Sequence, residues 1–365
     1  MRVKLADVCE RGSSNLKQAD IPGKSGDYPV YGASGYIGNV DFYQQKKPYV
    51  AVVKDGAGIG RAMLLPAESS VIGTMQYLLP KSVVLPEYLF YVVKHMHLEK
   101  YFSGATIPHI YFKDYQNEEF TLDDLNKQHE VVTTLRKVES VIENRQQQLQ
   151  KLDDLIKARF VEMFGDPGTN PMGWKETTIG EECFYIKDGP HKSLPDIGRE
   201  NGGHPFISVR NIVDGYIDFS TAKYISDEDY ADAIKKCHPE KGDMLYSKGG
   251  TTGIAKLIDV DVEFANWVHV AVLKFDKKKL NGVFFENMLN GVYCYEQSQR
   301  LTKGIANRDL VLSAMAQIKM YRPPMELQQQ FAAFVAQVTK SKVAVQKALD
   351  EAQLLFDSLM QQYFG

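Results

Sequence analysis

The chain repeats its own layout, and this repeat constrains the fold more than any other feature of the 365 residues. A glycine-rich segment at 54–60 has a counterpart at 248–254. A long run without glycine or proline, from Leu125 to Phe164, has a counterpart from Met325 to Phe364, and both end in Phe-Gly. The order along the chain is therefore domain, helix, domain, helix, which is the pattern of an internal duplication.

Both long runs carry apolar residues in steps of three and four, the spacing of a narrow coiled-coil seam. Each helix would be about 60 Å long and could not cover its apolar stripe alone. The sequence therefore predicts that the two pair as an antiparallel coiled coil. The alternative is two separate amphipathic helices, each lying on its own domain. The predicted seam consists of Leu135, Val138, Ile142, Arg145, Leu149, Leu152 and Ile156 in the first run, and of Phe331, Phe334, Val338, Ser341, Val345, Ala348, Ala352, Leu355 and Leu359 in the second.

The predicted architecture belongs to the α+β class, with two similar mixed α/β domains separated by the two long helices. In each domain, short strand-like runs punctuated by glycine precede one prominent helix, at 86–102 and at 284–301. The second copy is longer ahead of its glycine-rich segment, so the copies are related but not interchangeable. The predicted boundaries are 1–122 for the first domain, 123–165 for the central helix, 166–324 for the second domain and 325–365 for the C-terminal helix. The predicted strands are 28–31, 36–43, 49–53 and 62–65 in the first domain, and 206–209, 216–219, 244–246 and 254–258 in the second.

Composition excludes several classes of protein. No run approaches the roughly 20 apolar residues that cross a bilayer, and the N-terminus lacks a signal-peptide core, so we expect a cytoplasmic protein without membrane contact. The four cysteines lie far apart and form no C-x-x-C pair, which predicts reduced thiols and neither a zinc site nor a disulfide framework. With 43 Lys and Arg against 46 Asp and Glu, the chain does not resemble a protein that binds phosphate by bulk charge alone.

The glycine-rich segment 55–60 is superficially similar to the loops that hold S-adenosylmethionine. Such a loop should run from a strand into a helix, but here the following residues are strand-like in both copies. We therefore predict tight connections between strands, in which glycine lets the backbone approach a ligand closely. Small residues with exposed amides and basic neighbours are typical of a phosphate contact; the alternative is an ordinary hairpin turn. The basic neighbours are Lys54, Arg61, Lys248 and Lys256.

No sequence motif for a catalytic centre is present, and the histidines are scattered, so we expect a non-catalytic chain that holds no metal and no cofactor. Polar and aromatic residues collect instead in loops beside the glycine-rich segments and after the prominent helices. Among them, Arg, Asn, Ser, Thr and Lys are the side chains that read base edges in the major groove of DNA. With the four basic residues above, the candidate DNA-binding positions are Ser34, Tyr36, Thr106, His109, Arg210, Asn211, Thr251, Thr252, Trp267, His269, Asn307 and Arg308.

In this order, and twice over, these segments resemble the DNA-specificity subunits of bacterial type I restriction-modification enzymes. The residues that carry the resemblance are the paired domain starts at 3–8 and 174–180, the stretch 31–38, the two glycine-rich loops and the helix entry at 322–330. The first helix entry, at 122–128, departs from the pattern because it lacks the prolines found at 323 and 324.

The resemblance implies two target-recognition domains that each read half of a split, asymmetric DNA site, with the helices setting the spacer. It implies partners: double-stranded DNA, two methylation (M) subunits, and restriction (R) subunits. S-adenosylmethionine, ATP and magnesium would belong to those partner subunits. In this family the base contacts vary between proteins, so the resemblance assigns no base-reading residue here. Two other hypotheses stay open, a protein-interaction scaffold that does not bind DNA, and a methyltransferase or nuclease with unfamiliar motifs.

Overall fold

The computed structural model describes residues 1–21, 23, 25–104, 108–213, 215–305 and 307–365. It divides into two compact units, of which the first comprises Met1–Gln148 with Val345–Gly365 and the second Leu149–Ala344. Each unit therefore contains one sheet-rich domain and a segment of both long helices. Within the described residues, no helix is both long and apolar enough to cross a membrane.

The first unit contains a four-stranded antiparallel sheet of order β2-β8-β5-β6, a three-stranded sheet of order β4-β3-β7, and the antiparallel pair β1-β9. Its strands are β1 (Arg2–Lys4), β2 (Cys9–Ser13), β3 (Tyr28–Gly32), β4 (Gly35–Val40), β5 (Tyr49–Val53), β6 (Ala62–Leu65), β7 (Ser70–Val71), β8 (Met75–Pro80) and β9 (Glu119–Thr121). Its helices before the central one are α1 (Leu5–Val8), α2 (Pro86–His95) and α3 (Phe112–Tyr115), with short 3₁₀ turns at Gln18–Asp20 and Leu98–Tyr101.

Strand β5 is buried throughout and separates two cores. Because side chains alternate between the faces of a strand, Val50 and Val52 pack against α2, whereas Tyr49, Ala51 and Val53 pack against the three-stranded sheet. A strand that is buried on both faces has a continuous apolar sequence rather than an alternating one. The sequence YVAVV has this character, and its predicted bounds are confirmed.

The second unit has the same sheet topology, with β11-β17-β14-β15, β13-β12-β16 and the pair β10-β18. Its strands are β10 (Lys175–Thr178), β11 (Cys183–Asp188), β12 (His204–Ile207), β13 (Lys223–Ile225), β14 (Met244–Ser247), β15 (Ala255–Leu257), β16 (Ala265–Asn266), β17 (Val270–Phe275) and β18 (Lys319–Arg322). Its helices are α5 (Ile179–Glu182), α6 (Asp227–Lys236), α7 (Gly282–Asn290), α8 (Val292–Leu301) and α9 (Leu312–Met315), and 3₁₀ turns lie at Arg199–Asn201 and Val209–Asn211. The extra length of this copy carries α6, which the sequence analysis did not predict.

The two long helices, α4 (Leu125–Phe164) and α10 (Met325–Phe364), are confirmed at their predicted bounds. In the first unit, the beginning of α4 and the end of α10 share one core, with Val131 and Leu135 beside Phe356 and Met360. In the second unit, the end of α4 shares a core with the beginning of α10. The helices therefore run antiparallel, and each domain core contains both of them, contrary to the alternative of one helix per domain.

A buried glutamine holds the start of each long helix to its domain. The side chains of Gln128 and Gln328 are fully buried, and each accepts one backbone N–H and donates to two backbone carbonyls. Each accepted N–H belongs to the residue just before a domain helix, α2 or α7. The partners are Leu85, Val83 and Asp123 for Gln128, and Asn281, Lys279 and Pro323 for Gln328.

The helix seam departs from the sequence prediction near the C-terminus. Leu355 is 51% exposed, and the adjacent Phe356 is buried in its place against Tyr91. From Ala352 the buried positions follow in steps of four, through Phe356 to Met360. This spacing suits a broad domain core rather than a two-helix seam. It is found here because the last turns of α10 pack on α2. Ser341 is exposed as well.

Three elements of the sequence prediction are wrong in detail. The predicted helix at 86–102 ends at His95, because His97 has a left-handed φ of 51°. The predicted helix at 284–301 is two helices, interrupted at Gly291, whose backbone is extended. The predicted strand at 216–219 is an irregular segment, and its apolar residues Ile217 and Phe219 cover a core without joining a sheet.

Candidate nucleic-acid interface

The two glycine-rich loops occupy the same backbone framework in their units. Each connects two antiparallel strands, β5 to β6 and β14 to β15, so the predicted hairpin connection is confirmed. The amides of Gly56 and Gly250 donate to Pro108 and Arg308, in the segment after each prominent helix. Lys54 and Lys248 also accept equivalent backbone hydrogen bonds, from Ile110 and Leu310. Each loop is therefore held against the segment that follows the helix.

Backbone hydrogen bonds also show which side-chain positions of the first domain correspond to which positions of the second. The amides of Lys54 and Lys248 donate to Thr74 and His269, which makes those two residues equivalent. Further along, the amides of Ile72 and Trp267 donate to Tyr31 and Ile207. Tyr31 and Ile207 are therefore equivalent, and the residues three positions after them, Ser34 and Arg210, correspond to each other. At three equivalent positions the first domain thus has Ile72, Thr74 and Ser34, and the second has Trp267, His269 and Arg210.

In the first unit these positions line one open cleft of about 670 Å³. Two candidate residues, Ser34 and Arg61, lie in it together with Asp55, Ile72 and Thr74. The Arg61 guanidinium is exposed and donates to the Ala33 carbonyl at 3.2 Å, so it is held beside the tip of the β3-β4 hairpin. Lys17, Gln18 and Thr74 also line the cleft and were not among the sequence candidates. Aligning the copies on their glycine-rich loops pairs Thr74 with His269 only after one residue is inserted in the second copy.

The other candidates of the first domain lie around this cleft. His109 forms a 2.6 Å contact through Nδ1 with Oδ1 of Asp55, a cleft residue, and its ring stacks on the half-exposed Tyr111. Lys54 is half-buried, with its ammonium 3.9 Å from the Asp55 carboxylate. Tyr36 is 62% exposed at the hairpin tip and donates to Asn39. Thr106 lies outside the described residues.

The second unit has two smaller clefts in the equivalent region. One, of about 350 Å³, brings together four candidates, Lys248, His269, Asn307 and Arg308, with His191 as an addition. The other, of about 260 Å³, contains Arg210 and Trp267. The rings of Trp267 and His269 lie 4.6 Å apart, between the two clefts. The large side chains at these two positions therefore divide a surface that is a single cleft in the first domain.

Two basic candidates of the second domain are buried in ion pairs. The Lys248 side chain is 7% exposed, and its ammonium lies 2.9 Å from Asp309 and 3.5 Å from Asp188. Lys256 is 9% exposed and lies 3.1 Å from Glu286. Burial raises the pKa of that glutamate, and the neighbouring lysine opposes the shift. The sequence showed lysines beside a loop but gave no sign of the carboxylates that pair with them, and contact of either lysine with phosphate stays a prediction.

Two polar candidates of the second domain have internal roles instead. Asn211 is 1% exposed, accepts from the Ser208 amide and donates to the Asp218 carbonyl. Thr252 is equally buried, and its hydroxyl contacts that of Thr302. Both side chains stabilise loops, and contact of either one with a base stays a prediction. Thr251, by contrast, is exposed.

The described residues contain no group of three or more His, Cys, Asp or Glu side chains placed to hold a metal ion. All four cysteines are free and buried. Desolvation raises the pKa of Cys9, Cys183 and Cys294 to about 12, and that of Cys237 to about 11.

Comparison with known proteins places the duplication in a family. The model of the type I restriction modification DNA specificity domain matches twice, at residues 1–154 and 171–352. The chain belongs to this family. Membership assigns this specificity protein to DNA sequence recognition within a type I restriction-modification system.

Individual relatives are distant in sequence. The specificity subunit of the type I restriction enzyme MjaIX from Methanocaldococcus jannaschii is 22% identical over 307 residues, which cover 78% of this chain and 69% of the relative. The crystal structure of an S subunit from M. genitalium is 16% identical, with a TM-score of 0.60 over 100% of this chain and 96% of that one. A chain from a study of assembly and conformational transition of the type I R-M system gives 0.52, also at 16% identity, over 100% of this chain and 97% of that one. These structures support the fold.

Proposed function

We propose that this specificity protein recognises a split, asymmetric DNA site, with one half-site read by each domain. The observation that carries the proposal is that one backbone framework forms a single open cleft in the first unit and two smaller clefts in the second. A common framework presents equivalent positions to DNA, and different side chains at those positions select different bases.

Positive charge at the clefts is local. Exposed guanidinium groups, Arg61 in the first unit and Arg308 in the second, lie beside loops whose glycines let a phosphate approach the backbone. The Arg308 guanidinium is held by the side-chain carbonyl of Gln299. Because the formal net charge of the chain is −3, the remaining attraction to the DNA phosphates must come from partner subunits.

The partners we propose are two M subunits and the R subunits, which this chain directs to the bound site. Methyl transfer from S-adenosylmethionine, and ATP- and magnesium-dependent steps, would take place on those partners. This chain would position them without catalysing a reaction. Robust methylation or cleavage by the chain alone would contradict this assignment.

The recognised site is tested by expressing the chain with its M subunit and mapping methylated adenines by long-read sequencing. We expect a motif of two different half-sites separated by a fixed, unread gap. A continuous motif, or no motif dependent on this chain, would refute the proposal.

The role of the clefts is tested on duplexes that carry the mapped motif. Arg61→Ala and Arg308→Ala should each weaken binding about tenfold and reduce the slope of log K against log salt by about one. Lys235→Ala is the matched control, because this lysine is 75% exposed on α6 and pairs only with Asp232 among its described contacts. Equal losses in all three variants would show that the clefts have no special role.

We further propose that the long helices set the gap between half-sites. Removing one heptad from each, at 149–155 and 340–346, removes segments that contain the opposed residues Asp153 and Lys342, which pair at 2.6 Å. The mapped gap should change while both half-sites persist. An unchanged gap would contradict the role of the helices.

A further inference from the structure

The smaller cleft of the second unit has the features of a binding pocket for one planar group. Leu194, Phe206 and Trp267 form apolar walls, and Ser208, Arg210 and Lys223 supply polar groups. At about 260 Å³ it is below the usual range of about 300–1,000 Å³ for pockets that hold drug-sized ligands. A single aromatic ring system suits this size better than a whole nucleotide cofactor.

The indole of Trp267 has an unused hydrogen-bond donor. Its Nε1 atom is buried and has no hydrogen-bond partner among the described residues. Trp174, by contrast, donates from Nε1 to the Phe164 carbonyl at 2.8 Å. A buried donor without an acceptor costs about 1–3 kcal/mol, so a turn of the indole that let a bound group accept from Nε1 would remove this cost.

The backbone of Trp267 is fixed in place. Its amide donates to Ile207 at 2.9 Å, and its carbonyl accepts from Val270. The indole packs against a small core that includes Leu194, Phe206 and Tyr230. Tyr230 belongs to α6, the helix carried by the extra length of the second domain. The indole therefore packs against a helix that has no counterpart in the first domain.

Charge at the pocket suits a phosphate-linked group. Arg210 is exposed, and its guanidinium donates to the Thr221 carbonyl at 2.6 Å. Lys223 is also exposed. Both interact electrostatically with the nearby carboxylate of Asp196.

We infer that this pocket receives one unstacked base of the bound DNA, a role that rests on the proposed function. The aromatic walls stack on the base, the Trp267 N–H donates to a ring nitrogen or carbonyl of it, and Arg210 and Lys223 contact the adjacent phosphates. The pocket adjoins the larger cleft, because the turn 267–269 contributes residues to both. The first domain, with Ile72 at the equivalent position, lacks the indole and reads its half-site without this step.

A base that leaves the stack must first be unpaired, and this costs least at a mismatch. The full chain with its M subunit is therefore titrated with duplexes carrying a mismatch at each position of the mapped motif in turn. Mismatches at the methylated adenines are set aside, because a methyltransferase itself unstacks its target base. We expect one further position, in the half-site of the second domain, at which a mismatch tightens binding about tenfold. Everywhere else in the motif a mismatch should weaken binding. If no further position shows tightening, the inference is wrong.

Two variants test the indole. Trp267→Ile introduces the residue of the first domain, and Trp267→Phe keeps an aromatic ring without the donor. We expect the first to abolish the mismatch effect and the second to reduce it, whereas the control Trp174→Phe should retain it. The scan of the unaltered protein decides the question even if a variant folds poorly. A full mismatch effect in Trp267→Ile would overturn the assignment to this pocket.

A second arm distinguishes a DNA base from a free nucleotide. The monophosphates dAMP, dGMP, dCMP and dTMP are each titrated by isothermal titration calorimetry, a readout that does not depend on Trp267 itself. Saturable binding that Trp267→Ile abolishes, without any mismatch effect on DNA, would identify a free nucleotide as the ligand and overturn the inference. Selective binding to the mapped motif without mismatch tightening would leave the proposed function intact and remove only the base pocket.

Discussion

The two domains share a backbone and differ in the surface built on it. Around the first glycine-rich loop, Ile72 and Thr74 leave one open cleft, whereas Trp267 and His269 divide the corresponding surface of the second domain. The hydrogen bonds that hold the loops are the same in both. The framework is therefore the constant part of the molecule, and a few side chains give each copy a different surface.

The largest difference between the copies is expected at the last glycine of each loop. Gly60 and Gly253 both have positive φ, but a Cβ on Gly60 would meet the backbone of Glu99, and one on Gly253 would meet the hydroxyl of Ser298. Backbone cannot move aside as a side chain can. Gly60→Ala should therefore destabilise its unit by about 4 kcal/mol and Gly253→Ala by about 2 kcal/mol. Denaturant unfolding measures both, and equal losses would show that the two loops are equally tolerant.

The glutamines at the helix starts should behave alike. Gln128→Ala and Gln328→Ala each leave a buried backbone N–H without an acceptor, and each should cost about 2–3 kcal/mol. Because Cys9 lies in the first unit and the other three cysteines in the second, the rate of thiol labelling in low denaturant reports opening of each unit separately. We expect Gln128→Ala to accelerate labelling of Cys9 and Gln328→Ala to accelerate the others. The opposite assignment would contradict the packing described above.

The two lysines that precede the glycine-rich loops, Lys54 and Lys248, should differ in how much they stabilise their units. Lys248→Met removes a buried ammonium between Asp188 and Asp309 and should destabilise the second unit by about 2 kcal/mol. Lys54→Met removes a half-buried one with a single weak ion pair and should cost at most about 0.5 kcal/mol. If Lys54 contacts phosphate, its loss should instead weaken DNA binding a few-fold and lower the salt slope. Unchanged binding and stability in Lys54→Met would remove this lysine from the interface.

The smallest expected signal comes from the cysteines of the native protein. Their raised pKa values, about 11 to 12, keep the thiols protonated at pH 8, and the thiolate is the reactive form. Iodoacetamide should therefore add almost no label at pH 8 until denaturant opens a unit, as counted by mass spectrometry. Rapid labelling of one cysteine would reveal an opening that the packed cores do not explain.

The sequence predicted the repeated architecture better than the site. Periodicity and the absence of glycine and proline located both long helices, because a long helix is specified by many positions at once. Burial of Lys248 and Lys256 could not be predicted, since their carboxylate partners Asp188 and Glu286 come from other segments of the fold. Helix α6 was missed because its apolar stripe is short, with Tyr230 and Ala233 as its buried residues.

The pairing of β1 with β9, and of β10 with β18, brings the two ends of each domain together. Met1 and Leu122 exchange backbone hydrogen bonds at 2.8 and 2.9 Å, and Lys175 lies opposite Arg322. Each domain is thus a closed loop of chain whose entrance and exit are adjacent. Such a loop can be lengthened, shortened or replaced between its paired ends at small entropic cost, so a new recognition surface need not disturb the helices that carry it.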